Sequence, residues 1–512
     1  MRRSIAALIL SALAVPASAE TVLRARLNSD IASIDPGMKR DENTDAVLLH
    51  IVEGLVASRA DGSVAPMLAS GWTVSPDGRS YRFALRHDVR FQNGAPMTSA
   101  EVVWSLKRYF DPQGHWRCKV DFGPHGVTRL VSVVADDRYA VTITLDRPTP
   151  MLLKEMARAD CGGTGILHPA SVGRDGKMVR PIGTGPFSLA EWRRNQFVDL
   201  VRFPGYRPVA GPADGNAGAK RALVDRIRFE VIPDGSAASA ALLRGSLDVL
   251  DNLAANELAA IAGTPGVRID RSPTMDFYGI LFQVRDPVLA DPRIRHAIAL
   301  SLDVAALTRV ATRGTATPDS SPIPAVSPYH GTAQRPLIQQ NLPLARALVK
   351  ASGYRGQPIH LITNRRYPQA FDSAIIVQAM ARAIGLNVEI ATLDWATQLA
   401  RYAHGDYQAM IFGYSARLDP ALTLDPLIGD KAVDPRKVWD DPAARALLAR
   451  STSTDDPKAR QAAFDALERT FRKHQPAVIL FNTARIAAVR ANVRGYHSWP
   501  GATQRLWNVG LR

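Results

Sequence analysis

Three short stretches hold the side chains whose types could do chemistry together: Asn364-Arg365-Arg366, then Trp395, then Tyr414-Ser415-Ala416-Arg417-Leu418-Asp419. A guanidinium grips a carboxylate or phosphate through two parallel N–H···O bonds, a carboxylate takes an ammonium, and a Trp and Tyr pair offers flat apolar surface to a ring or a chelate. This is recognition chemistry. Bond-breaking signatures are missing: no Ser is followed three residues later by Lys, Gly413 to Arg417 lacks the second glycine of a nucleophile elbow, and no P-loop or dinucleotide glycine string occurs. Gly183-Thr184-Gly185 reads as a turn. The 11 histidines form no H-x-H or H-E-x-x-H cluster, so neither a protein-held metal nor another cofactor is expected.

The three stretches need a frame that brings them together, and the pattern from Gln357 to Pro420 supplies one. Short β-like runs alternate with helical ones, the signature of parallel βαβ units. The first strand is expected over 358–363. A helix from about Pro368 to Ile384 should bury Ile375, Ile376, Ala379 and Ala383 and stop at Gly385. The second strand is expected over 387–392, a helix capped by Asp394 follows, and 407–413 returns as the third strand. In open α/β sheets ligands meet the loops at the carboxyl ends of strands, which selects the residues above.

Upstream, GWTVSPDGRSYRFALR from Gly71 alternates apolar and polar residues about Pro76-Asp77-Gly78, predicting an antiparallel hairpin. Thr98-Ser99-Ala100-Glu101 is a capping box opening a helix with Val102, Val103, Leu106, Tyr109 and Phe110 on one face. These pieces predict a small mixed subdomain over about 64–178.

The opening MRRSIAALILSALAVPASA has a basic start, an apolar stretch and a small-x-small ending, so residues 1–19 read as a cleavable secretory signal peptide. No cysteine lies near the cleavage site, which argues against a lipid anchor. After residue 19 no apolar run approaches the roughly 20 residues that span a bilayer. In an oxidising compartment two cysteines suggest one bridge, Cys118 to Cys161, with two separate buried thiols as the alternative. The formal charge of +15 invites a nucleic-acid partner, but no basic run exceeds two residues and no stacking module accompanies it. A solvated basic surface remains, able to steer an anionic solute.

Several phrases resemble the solute-binding proteins of ABC importers, family 5, the peptide, nickel and oligosaccharide binders. They are SIDPGMKRDENTDAVLLHIVEGLV, the segment from Ala65-Pro66 through GWTVSPDGRSYRFALRHDVRFQNGAPMTSAEVVWSLKR, PIGTGPFSLAEWRRNQFVDLVRFPGYR, IRFEVIPDGSAASAALLRGSLDVL and DPRIRHAIALSLDVAAL. The resemblance implies an α/β, two-lobed periplasmic-binding-protein fold of type II, in its large form. Lobe I would run over 20–273, contain the 64–178 subdomain and be completed by 482–512; lobe II would be 274–481. It further implies a monomer in a bacterial periplasm, a small solute trapped between the lobes, and an inner-membrane permease and ATPase as partners. A secreted hydrolase, or a sensing or chaperone-like module on the same fold, are the readings from other classes.

In the family's peptide binders the loop after the third strand carries an acid that pairs with the ligand's amino group. Here Arg417 falls at that position, reversing the charge and favouring a non-peptide or acid-bearing solute, with Asp419 as the residue that would keep the amine role in a di- or oligopeptide binder. Tyr278 and Gln283 fall where the family places a pocket-facing aromatic and an amide. His115, Trp116 and Arg117 beside Cys118 are candidates for the cleft mouth.

Overall fold

The computed structural model describes residues 20–39, 41–124 and 126–512; the leader read over residues 1–19 lies outside them. Three sheets organise the chain: one of seven strands, one of six, and one of four. The four-stranded sheet is antiparallel and begins with the hairpin of Ala69–Val74 and Ser80–Leu85. Its covering helix, Ser99–Phe110, carries the capping box: Glu101 accepts from the Thr98 N–H at 2.9 Å, while Val102, Leu106 and Tyr109 are buried beneath. Cys118 and Cys161 are disulfide-bonded beside it, with Cα atoms 5.8 Å apart.

The six-stranded sheet contains the three predicted strands as Ile359–Thr363, Val388–Thr392 and Ala409–Tyr414, in the spatial order second, first, third, and mutually parallel. The strand Phe277–Phe282 runs antiparallel to the third, pairing Tyr278 with Gly413. The connecting helices are Pro368–Arg382 and Trp395–His404, the latter capped by Asp394, which accepts from the Thr397 N–H at 3.0 Å. The first helix corrects the expected face. Ala370, Ala374, Val377 and Ala381 are buried and Ile376 is half-buried against the same core as expected, whereas Ile375 is 46% exposed and Ala379 and Ala383 lie outside. Small side chains let the helix sit close on the sheet, and the larger isoleucine is turned outward.

Strands of the two large sheets change over twice: between Val267–Pro273 and Phe277–Phe282, and between Ala477–Asn482 and Ala484–Arg490. The two passages are tied to each other. Asp276 accepts from the Thr483 N–H at 2.9 Å and hydroxyl at 2.6 Å, and Thr274 donates its N–H to the Thr483 carbonyl at 3.1 Å. Among the described residues no helix is long and apolar enough to cross a membrane.

Candidate functional site

A cleft of about 1200 Å³ opens where the three sheet units meet. One wall is the carboxyl end of the parallel strands, contributing Asn364, Arg366, Trp395, Tyr414, Ser415 and Arg417. The opposite wall comes from the helix Glu42–Leu48 and the segment between Lys154 and Asp160. The paired passages at Thr274, Asp276 and Thr483 line it as well.

The predicted residues divide by what their polar atoms already do. Tyr278 lies flat against Gly413, where an added Cβ would come within 2.6 Å of the ring, and its hydroxyl accepts from Gln369 at 3.1 Å. The glycine is what admits the ring. Asn364 is 2% exposed and both ends of its amide are engaged, the nitrogen donating to Gln398 at 2.8 Å and the oxygen accepting from the Tyr367 N–H at 3.1 Å. It holds the loop. Tyr414 stacks on Phe277 and its hydroxyl meets that of Tyr402 at 3.0 Å, so it forms floor. Trp395 is half-buried, edge-on to Tyr367 at 5.2 Å, and presents an apolar face. Arg366 is exposed at the cleft, whereas Arg365 lies over the Phe371 ring and does not line it.

Arg417 lines the cleft and donates to the Leu422 carbonyl at 2.8 Å. Asp419 is only 3% exposed and already doubly paired: Lys154 donates to it from the opposite wall, and Arg460 donates at 2.7 Å from behind. Burial opposes its charge, yet Lys154 and then Arg460 outweigh that cost and hold the carboxyl at about 2. The Asp419 carboxylate also caps the helix Pro420–Leu424 by accepting from the Ala421 N–H at 2.9 Å.

Two candidates lie outside the cleft. Trp116 is 1% exposed, wedged among Tyr109, Phe110 and Phe122, with its indole N–H donating to the Cys161 carbonyl at 3.1 Å. The aromatic side of the preceding helix claims it for the subdomain core, and neither His115 nor Arg117 lines the cleft. Gln283 follows a strand antiparallel to the third, so five residues beyond Tyr278 it has reached the far end of the sheet. There its amide donates to the Gly405 carbonyl at 2.7 Å.

The opposite wall was not anticipated. Lys154, Arg158, Asp160, Glu42 and Asp45 belong to it. Asp160 pairs with Arg158 and Arg117, each at 3.0 Å; burial alone would raise its carboxyl, but Arg158 and Arg117 hold it well below the ordinary range. Asp45 is buried, and burial, reinforced by Asp160, pushes its carboxyl well above the ordinary range. The acid-rich phrase DENTD was the available signal.

Known proteins share this fold. The chain is 26% identical over 501 residues to the glutathione-binding protein GsiB of Salmonella paratyphi A, covering 95% of this chain and 94% of the relative. It is 26% identical over 461 residues to the peptide transport periplasmic protein SapA of Salmonella typhimurium, covering 84% and 81% respectively. The solved structure of the binding protein AgaA from A. tumefaciens R10, in complex with agropinic acid, superposes with a TM-score of 0.79 at 25% identity, over 96% of this chain and 99% of that one. The match is to a two-lobed periplasmic binding protein. Residues 63–433 match the family model for bacterial extracellular solute-binding proteins, family 5, and the chain belongs to that family.

Proposed function

We propose that this solute-binding protein captures an acid-bearing, non-peptide solute and hands it, chemically unchanged, to an ABC permease and its ATPase. The observation that carries the reading is the state of Asp419. A peptide's free amine would need that carboxylate, but the chain's own Lys154 ammonium and Arg460 already occupy it. Arg417 and Arg366 face the same cleft and suit a carboxylate or phosphate, with Trp395 and Tyr278 as apolar walls. The molecule bound in the AgaA structure is itself named as an acid.

In this reading lobe I is 20–273 with 482–512, including the subdomain at 64–178, and lobe II is 274–481. The paired passages at Asp276 and Thr483 are the hinge, and closure is favoured by the solute's differential affinity for the closed form. The leader over 1–19 delivers a monomer to the periplasm. The SapA relative, named for peptide transport, is the reason to test peptides directly. Calorimetry on purified protein should find binding, without turnover, among mono- and dicarboxylates and phosphate esters, weakened at least tenfold by Arg417→Ala. Micromolar binding of free-amine di- to tetrapeptides with no response to any acid would overturn the proposal.

A further inference from the structure

The acids lining the lobe I side of the cleft and the hinge can be audited one by one. Glu42 is met by Arg485, Asp160 by Arg158, Glu257 by Arg26, and Asp276 by Thr483. Asp41 accepts from the Thr44 N–H at 2.9 Å. Asp45 is the exception. It is 6% exposed and lines the cleft, yet no donor among the described residues reaches its Oδ1, and among them it forms no ion pair. The neighbouring cation Arg117 is committed to Asp160 at 3.0 Å.

Buried polar atoms are almost always satisfied in native proteins, so an orphaned carboxylate oxygen in a binding cleft asks for an external donor. Its surroundings specify the donor's charge. Asp41, Glu42 and Asp160 all act on Asp45 with the same sign, whereas Arg117 alone among its main neighbours opposes them. A neutral donor would satisfy Oδ1 but leave Asp45 itself without a counter-charge; a cation answers both. We infer that Asp45 anchors a cation subsite on the lobe I wall, so that the solute is amphoteric, carrying an ammonium or guanidinium group as well as the acid assigned to Arg417. Asp45 and Arg417 line the same cleft, so the separation of the solute's two charges is what a ladder of chain lengths reads. The polarity is the reverse of a peptide amine held at Asp419: the cationic end goes to lobe I and the anionic end to lobe II.

The inference rests on the acid-bearing reading, and its test separates the two. Calorimetry would compare a ladder of ω-amino carboxylates, from 4-aminobutanoate to 8-aminooctanoate, each with the matching acid that lacks the amine. In the unaltered protein at least one amino acid should bind ten times more tightly than its match. Asp45→Asn should erase that gain, so that within the variant the amino acid binds no more tightly than its matching plain acid, and Asp45→Glu, which keeps the charge, should restore part of it. Plain acids binding with no amine preference anywhere on the ladder would overturn the cation subsite and leave the acid reading standing. So would an amine preference that survives in Asp45→Asn. If Arg417→Ala leaves acid affinity unchanged while Asp45→Asn still removes the amine gain, the Arg417 assignment fails and the subsite stands; if no ladder member binds the unaltered protein, both fail.

Discussion

Replacing Lys154 with Met tests the central electrostatic claim, because it removes one of the two cations that neutralise Asp419 while keeping the stem that packs in the wall. The Asp419 carboxyl ordinarily titrates near 3.8 and is held at about 2. At about 1.36 kcal/mol per pH unit, the charged carboxyl in this site, after the cost of burial, makes a net contribution to the fold of about 2–3 kcal/mol at neutral pH. Lys154 supplies one of the two charges that hold the carboxyl down, so Lys154→Met should lose about 1–2 kcal/mol in urea unfolding at pH 7. The sign follows from linkage: a depressed carboxyl stabilises above its unfolded value and loses that contribution as pH falls through about 2. The gap between variant and parent should therefore narrow from pH 4 downward. A second consequence concerns specificity. With its ammonium gone, Asp419 offers a cleft-side oxygen to an outside amine, and a hydrogen bond to a charged group contributes about 1.5–3 kcal/mol, or roughly 10- to 100-fold in affinity. Calorimetry should show trialanine binding Lys154→Met at least tenfold more tightly than N-acetyl-trialanine, with no such difference in the parent. A folded variant that shows neither the stability loss nor an amine preference would refute the idea that Lys154 stands where a peptide amine would go.

His50 is fully buried, accepting from the Leu506 N–H at 2.9 Å, and burial holds it neutral down to about 3 against an ordinary 6.5. The unfolded chain takes up the proton first, so stability should fall by about 2 kcal/mol between pH 7 and pH 5, and urea midpoints of His50→Gln should show much less of that slope. The Cys118–Cys161 bridge spans 43 residues, and Cys118→Ser with Cys161→Ser should cost about 4 kcal/mol by the chain-entropy relation, read from denaturant unfolding of the subdomain's tryptophans. Gly413→Ala places a Cβ within 2.6 Å of the Tyr278 ring, so it should cost about 1–3 kcal/mol and weaken binding of any ring-bearing solute; unchanged melting would show that the ring moves freely.

What was legible in the sequence is local. The cap at Asp394, the hairpin about Pro76-Asp77-Gly78 and the alternation of strand and helix around Asn364, Trp395 and Tyr414 each rest on residues a few positions apart. What was hidden is set by distant partners. Lys154 and Asp419 are 265 positions apart, and nothing near either announces the other. Trp116 looked like a candidate because an aromatic beside a histidine and an arginine resembles a binding edge. The helix surface it fills, formed by Tyr109 and Phe110, was visible, but its direction was not. Gln283 failed for a geometric reason: on a strand antiparallel to the third, each residue past Tyr278 moves away from the cleft.

Contacts across the cleft also bear on how closure is driven. Besides Lys154 and Asp419, the Thr149 hydroxyl donates to the Thr452 carbonyl at 3.0 Å, and the buried Met151 packs in the core of the six-stranded unit. Gly62, with φ near +81°, lies so close to the Leu418 carbonyl that an added Cβ would sit 2.4 Å from its oxygen. These contacts link the six-stranded unit to the rest of the chain across the cleft, so they contribute to the free energy of any closure, and a solute shifts that equilibrium only by its differential affinity for the two forms. That division of labour suits a cleft whose charges are mostly satisfied internally. A net positive charge would raise the encounter rate with an anionic solute of the proposed kind, an effect screened over about 8 Å at physiological salt. Inside, the wall that carries Glu42, Asp45 and Asp160 is acid-rich and the loops at the carboxyl end of the parallel strands present Arg366 and Arg417, so under the proposals above the cleft would select by which end of a solute faces which wall.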